Sequence, residues 1–195
     1  MSNRLTINDL MKLEDYAAQR QAFRARVLEH KRGRKLHLGE HLTLLFEDRL
    51  TVQYQVQEML RIERIFERAG IQEELDAYNP LIPDGHNWKA TCLIEYDDER
   101  ERHIKLTELK DVEHLVWVQV EGQSRVLAIA DEDMDRSNQQ KTSAVHFMRF
   151  ELTPEMIATL RGGASLQFGV DHPRYRHVQT VPTIVRAALL VDLQG

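Results

Sequence analysis

One cysteine, Cys92, stands in 195 residues, so no disulfide forms within the chain and a stapled secreted scaffold is excluded. No CxxC pair accompanies it, so a redox role for the thiol is not indicated. Long apolar runs are also lacking. The stretch Ala187 to Val191 falls far below the roughly 18 residues of a membrane span. The N-terminus enters a polar amphipathic pattern without the roughly 7–15 apolar residues of a signal peptide, which makes cytoplasm the expected compartment and no membrane partner expected. There is no excess of positive charge: Lys plus Arg is 26 against 31 Asp plus Glu, a formal charge of −5, so nucleic acid is not expected as a partner. Nor is there an internal repeat, a low-complexity stretch, a G-x-G-x-x-G, a P-loop, a G-x-S-x-G or the spacing of a serine triad. The common cofactor motifs are excluded.

What is present reads as one domain over residues 1–195, helix-rich over 1–85 and sheet-rich over 86–195. Leu10, Leu13 and Ala17 share a helical face, Phe23 and Val27 follow, and the segment ends at Lys31, Arg32 and Gly33, which reads as one or two helices. Leu42, Leu44 and Phe46 alternate as a strand. Val52, Val56, Met59, Ile62 and Phe66 predict the longest helix, over 49–68, and a short one follows over 72–77. The run Tyr78-Asn79-Pro80-Leu81-Ile82-Pro83-Asp84-Gly85 forbids regular structure. Beyond it the period becomes two: Trp88 to Tyr96, Val116 to Val120 and Val126 to Ala130, the last two joined as a hairpin around Glu121-Gly122-Gln123-Ser124. Ala144 to Leu152 and Leu166 to Val170 add strands. Between them Thr153 as N-cap, Pro154 and Gly162 frame a short helix, and a final helix starts near Pro182. Segregated elements favour an α+β fold, with N-terminal helices packed on a mainly antiparallel sheet of about six strands and a C-terminal helix.

Several residues have types and positions suited to chemistry. His37-Leu38-Gly39-Glu40-His41 matches the inverted zincin pattern, but the central glycine and strand-like flanks predict a turn rather than the helix that chemistry needs. Asp131-Glu132-Asp133-Met134-Asp135 begins like a calcium loop and then departs from it at Arg136 and Thr142, so a solvated acidic loop is expected. His30-Lys31-Arg32-Gly33-Arg34-Lys35 reads as helix-end cations and a solvated turn. Glu63 projects onto the apolar stripe of the long helix, where a carboxylate requires a cationic, hydrogen-bonding or metal partner. His146 sits on the apolar side of its strand, and Asp171 and His172 lie at a strand end, with Tyr175 and His177 in a following turn. If those two strands pair, His146, Asp171 and His172, with Glu63, form a candidate site for a divalent metal (iron, zinc or manganese) or for acid/base work. The loop offers a ligand site through Asn79, Asp84, His86 and Trp88, or else a rigid connection, which its prolines favour.

Five stretches together resemble a bacterial family known as domain of unknown function 3501: Leu44 to Arg49, Tyr54 to Leu60, Asp76 to Gly85, Lys141 to Phe147 and Gly169 to Pro173. The resemblance runs nearly end to end. Members often sit beside genes for a rubrerythrin-like protein and an iron–sulfur protein related to heterodisulfide reductase subunits. The resemblance thus implies a bacterial, cytoplasmic protein tied to peroxide or redox metabolism, and it supplies no mechanism. The leading expectation is a non-enzymatic accessory or binding protein for a redox or oxidative-stress system, in contact with a rubrerythrin-like or iron–sulfur protein. The alternative is a metal-binding protein or metal-dependent enzyme.

Overall fold

The computed structural model describes residues 3–132, 136–137 and 140–193. Helix α1 (Leu13–Arg32) buries Tyr16, Phe23 and Val27 against Leu50 and Tyr54 of α2 (Arg49–Glu63). Between them lie β1 (Lys35–Leu38) and β2 (Leu42–Phe46). Asp48 starts α2 by accepting from the amides of Leu50 (3.0 Å) and Thr51 (2.9 Å), two donors that helix geometry leaves without partners. Arg64 ends it in the left-handed region at φ 55°, and α3 (Arg68–Tyr78) follows. The single helix expected over 49–68 is therefore two, and α1 is longer than either. Where α2 stops, the chain leaves the core: Ile62 in its last turn and Phe66 beyond it are 57% and 69% exposed, and Glu63 is exposed rather than buried.

The remaining elements are β3 (Asn87–Ile94), α4 (Glu99–Glu108), β4 (Val116–Val120), β5 (Val126–Leu127), β6 (Ile129–Ala130), β7 (Val145–Glu151), α5 (Pro154–Arg161), β8 (Leu166–His172), β9 (Tyr175–Thr180) and α6 (Thr183–Asp192). The class is α+β, with helices at both ends of the chain as the sequence predicts. The strands form two antiparallel sheets, ordered β1-β2-β3-β7-β6 and β5-β4-β8-β9. The chain passes from one sheet to the other between Leu127 and Ile129. At the opposite edge the Tyr175 hydroxyl donates to the Leu38 carbonyl (2.6 Å) and accepts from the His41 amide (3.0 Å). Alternate residues of both sheets meet in one core, where the Phe168 ring lies 5.1–5.9 Å from those of Phe46, Trp88 and Phe150. Burying such side chains stabilises the fold by roughly 1.5–3 kcal/mol each.

Helices close this core. Leu106 of α4 and Leu109 enter it, as do Met156, Ile157 and Leu160 of α5 and Val185 and Leu189 of α6. Thr153 caps α5 by accepting from the Met156 amide at 3.2 Å, and the helix stops at Gly162. The Trp88 indole donates to the Leu189 carbonyl at 2.9 Å. Sheet membership overturns one premise: β7 pairs with β3 and β6, whereas β8 pairs with β4 and β9. The strands of His146 and Val170 are thus not neighbours, and Tyr175 and His177 lie on a strand, not in a turn. Among the described residues no helix is long and apolar enough to cross a membrane.

Glu58 clasps α1 to α2. It accepts from the Tyr16 hydroxyl (2.6 Å) and from two nitrogens of Arg20 (both 2.8 Å). Hydrogen bonding to Arg20, and then to Tyr16, outweighs the opposing effect of burial and brings its carboxyl from the ordinary 4.5 down to about 2. A carboxyl whose pKa falls on folding adds stability that is complete above the unfolded pKa and is lost as pH drops through the folded one. The destabilisation of Glu58→Gln relative to wild type is therefore expected to be constant above about pH 5. It should shrink as pH falls from 4.5 towards 2. Urea unfolding of both proteins across that range checks this, and a pH-independent gap would remove the clasp as its cause.

Candidate functional site

His146 lies on the inward side of β7, opposite Cys92 of β3, and is fully buried. Its Nδ1 lies 2.6 Å from Asp131 Oδ2. Its Nε2 faces the Ser143 carbonyl at 3.0 Å and Thr142 Oγ1 at 2.8 Å. Thr142 in turn donates to Glu113 Oε2 at 2.8 Å, and Ser137 donates to the other oxygen of Glu113. A ring that gives a proton to acceptors on both sides has the hydrogen-bonding complement of an imidazolium. The neighbouring charges match it: Glu113 and Asp131 are anionic partners, and Arg136 reaches Asp131 Oδ1 at 3.2 Å. Burial opposes ionisation of Glu113, yet the bonds from Ser137 and Thr142 and the adjacent His146 ring hold its carboxyl below the usual range. Asp131 also accepts from the Phe147 amide at 3.0 Å and sits at φ 52°, a backbone region that costs a non-glycine residue energy unless its surroundings impose it.

This corrects the solvated acidic loop at Asp131, whose side chain is 7% exposed. Asp133, Met134 and Asp135 lie outside the described residues. A histidine paired with an aspartate is a frequent base, but here the second nitrogen is spent on a main-chain carbonyl and the ring borders neither main cavity. The arrangement fastens the segment after β6 and the turn before β4 to β7.

The other predicted residues have partners of their own. Asp171 is exposed and pairs with Arg125 at 2.6 Å. His172 faces the Lys110 carbonyl through Nε2 (3.1 Å) and accepts from the Arg174 amide through Nδ1 (3.2 Å). With Glu63 exposed on α2, the four proposed metal ligands are not gathered around one point. Among the described residues no group of three or more His, Cys, Asp or Glu is placed to hold a metal ion. His37-Leu38-Gly39-Glu40-His41 forms the β1–β2 hairpin, with Gly39 at φ 76° in its turn. There His41 stacks on Tyr96 and His37 Nδ1 bonds Thr43. Cys92 is buried, and burial pushes its thiol up, away from the reactive thiolate.

In the loop, Asn79 bonds both the amide (2.7 Å) and the carbonyl (3.0 Å) of Leu5. Asp84 accepts from the His86 amide (3.1 Å) and from Asn87 (2.9 Å). Trp88 is buried in the core, so it offers no stacking face, and of the four predicted ligand residues His86 has an exposed side chain without a role in these contacts. The loop is a fastened connection.

Two cavities border it. One, of about 870 Å³, is lined by Arg4, His30, Arg34, Asp48, Asp84 and Asp192 among others. The other, of about 580 Å³, separates α2 and α3 from the outward residues of β3 and β7: Met59, Tyr78, Leu81, Lys89, Phe147 and Arg149. Both reach Pro80 and Lys89. Arg34, expected in a solvated turn, is buried. It donates to both oxygens of Asp192 at 2.9 and 2.6 Å, while its Nε lies 2.9 Å from Asp48 but off the hydrogen-bond axis. The sequence pattern singles out neither Lys89 nor Glu113 as a site residue, and it reads Asp131 as part of a solvated acidic loop. The one available signal was alternation, since Lys89 falls between the inward Trp88 and Ala90.

Fold and cavities together define an α+β protein in which helices cover an antiparallel double sheet and leave a cleft against its outer surface. The chain belongs to the family described as protein of unknown function (DUF3501), whose model matches residues 4–193. It is similar to a crystal structure of a protein of unknown function from Burkholderia pseudomallei K96243, at 49% identity and a TM-score of 0.92, covering 97% of this chain and 99% of that one. No curated protein matches it.

Replacing His146 by alanine leaves the buried Asp131 and Glu113 side chains without the ring they pack and bond against, and breaking a buried polar pair of this kind costs about 3–5 kcal/mol. Glu113→Gln keeps hydrogen-bonding capacity and is expected to cost less than half of that. Urea unfolding at neutral pH reads both. A loss below about 1 kcal/mol for His146→Ala, the range of an exposed pair, would show that the ring does not hold the cluster together.

Proposed function

We propose that this chain is a non-catalytic binding protein that serves a redox or oxidative-stress system, with the cleft at Pro80 and Lys89 as its binding surface. One observation carries the reading. The side chains suited to catalysis, His146, Asp171 and His172, are each occupied by other groups of the protein, while the open volume lies beside side chains of α2, α3 and β3. Ligand sites are typically concave and partly apolar, with a few placed polar groups. The redox assignment, and a rubrerythrin-like or iron–sulfur protein as partner, come from the family resemblance.

Immobilised chain is expected to retain a rubrerythrin-like or iron–sulfur protein from a bacterial extract, identified by mass spectrometry. Ala77→Trp, which places a large ring at the rim of the cleft, is expected to reduce that retention. An extract from which neither kind of protein is retained would overturn the partner. Protein purified without chelator is expected to carry less than stoichiometric iron, zinc or manganese. A stoichiometric metal that disappears in both His146→Ala and His172→Ala would overturn the non-catalytic reading.

A further inference from the structure

The floor of the cleft holds a cation whose circumstances differ from those of its neighbours. β3 and β7 pair so that Lys89 and Arg149 stand directly opposite each other, a placement that is destabilising for like charges. Arg149 is neutralised: its Nε and Nη2 each lie 2.8 Å from Glu132, and its Nη1 bonds Glu151. Lys89 is not. Its side chain is half-buried, and among the described residues its ammonium has no hydrogen bond and no ion pair. Asp84, Glu132 and Glu151 act on it only through space, and burial, followed by the Arg149 charge, lowers its pKa against them. An ammonium that has lost water and gained no counterion is a cost to the unliganded fold.

The same residue marks the meeting of the two cavities. In the smaller one, Met59, Tyr78, Leu81 and Phe147 supply apolar surface next to the charge. The helix wall carries Glu63 and Glu74, and burial together with Glu63 raises the pKa of Glu74. Those carboxylates repel an anion from the helix side and leave the sheet side, at Lys89, as its place. A volume of about 580 Å³ suits a small organic molecule.

We propose that the cleft binds an amphipathic organic anion, a carboxylate or phosphate monoester on an apolar body, with its head group paired to Lys89 Nζ and its body against Tyr78 and Phe147. This inference rests on the cleft being the binding surface, as argued above, and adds the ligand class. It also explains why Lys89, beside a neutralised Arg149, has no hydrogen-bond or ion-pair partner among the described residues: the ligand supplies one.

Titration calorimetry of the full chain with octanoate and with octyl phosphate tests it. At least one is expected to bind saturably, and the tighter of the two identifies the head group. Lys89→Met is expected to weaken that binding about ten- to hundredfold, as for loss of one hydrogen bond to a charged group, and Lys89→Arg to restore most of it. Because Lys89→Met removes an uncompensated charge, its melting temperature without ligand is expected to be no lower than that of wild type, which a structural role would not permit. Saturable binding of neither anion, equal affinity in Lys89→Met, or octanol bound as tightly as octanoate would each overturn the proposal. A chain that captures its protein partner yet takes up neither anion would overturn this inference alone.

Discussion

Arg34 is the cation through which the two ends of the chain hold each other. Its side chain, 4% exposed, lies between Asp48 at the start of α2 and Asp192 at the end of α6. Removing three ionised groups from water costs several kcal/mol apiece, and only close pairing with hydrogen bonds returns it. The returns differ between the carboxylates. Asp48 overcomes burial through the Arg34 charge, the Thr51 amide and His30, and is held below the ordinary range. For Asp192 burial outweighs the bonds from Arg34, and its carboxyl is pushed up. The same three residues floor the larger cavity, so the rigidity of that wall derives from a charge pairing 158 residues apart in sequence.

A second buried polar system works inside the double sheet. Near the His146 end of the core a wholly apolar filling would leave the backbone after β6 without a fixed course. Asp131 supplies one by bonding both the Phe147 amide and the His146 ring. Low dielectric strengthens each of these bonds and raises the cost of losing any. The outer face of the other sheet solves a packing problem without charge burial: Trp117 lies across Gly169, where a Cβ would come within 2.2 Å of the indole, and Arg125 covers the ring at 3.7 Å. Both devices set geometry by making the alternatives expensive.

What could be read from the sequence was what is local. Thr153, Pro154 and Gly162 bound α5 because caps act within one turn, and Val116, Val118 and Val120 mark β4 because a strand places every second residue on the same face. The elements missed carry no such pattern. α4 buries only Leu106 of its ten residues, so no apolar stripe marks it. β9 is an exposed edge strand of charged and polar residues, of the kind that resists edge-to-edge pairing. β1 has four residues inside a cationic run. The break at Arg64 was hidden because the apolar spacing continues through Ile62 and Phe66 although the backbone does not. That His146, Asp171, His172 and Glu63 lie apart has a different reason: residue type suggests chemistry, but strand order decides which residues meet. Asp131, Glu113 and His146 are separated by up to 33 positions, and only strand order brings them together.

That distinction between type and partner also sorts the cations around the cleft. Arg34, Arg49, Arg136 and Arg149 are all guanidinium groups engaged by carboxylates, as suits a planar fork of donors with little preference for water. Lys89 is an ammonium, a compact charge that holds its water strongly and loses affinity for its proton when that water is taken away. At a position where the fold wanted only charge balance, an apolar or neutral residue facing Arg149 would serve better, since Glu132 and Glu151 already neutralise the arginine. A lysine kept half-buried at the junction of two cavities is difficult to account for as a structural group. It follows readily from a site whose last contact is made by a molecule the chain does not itself contain.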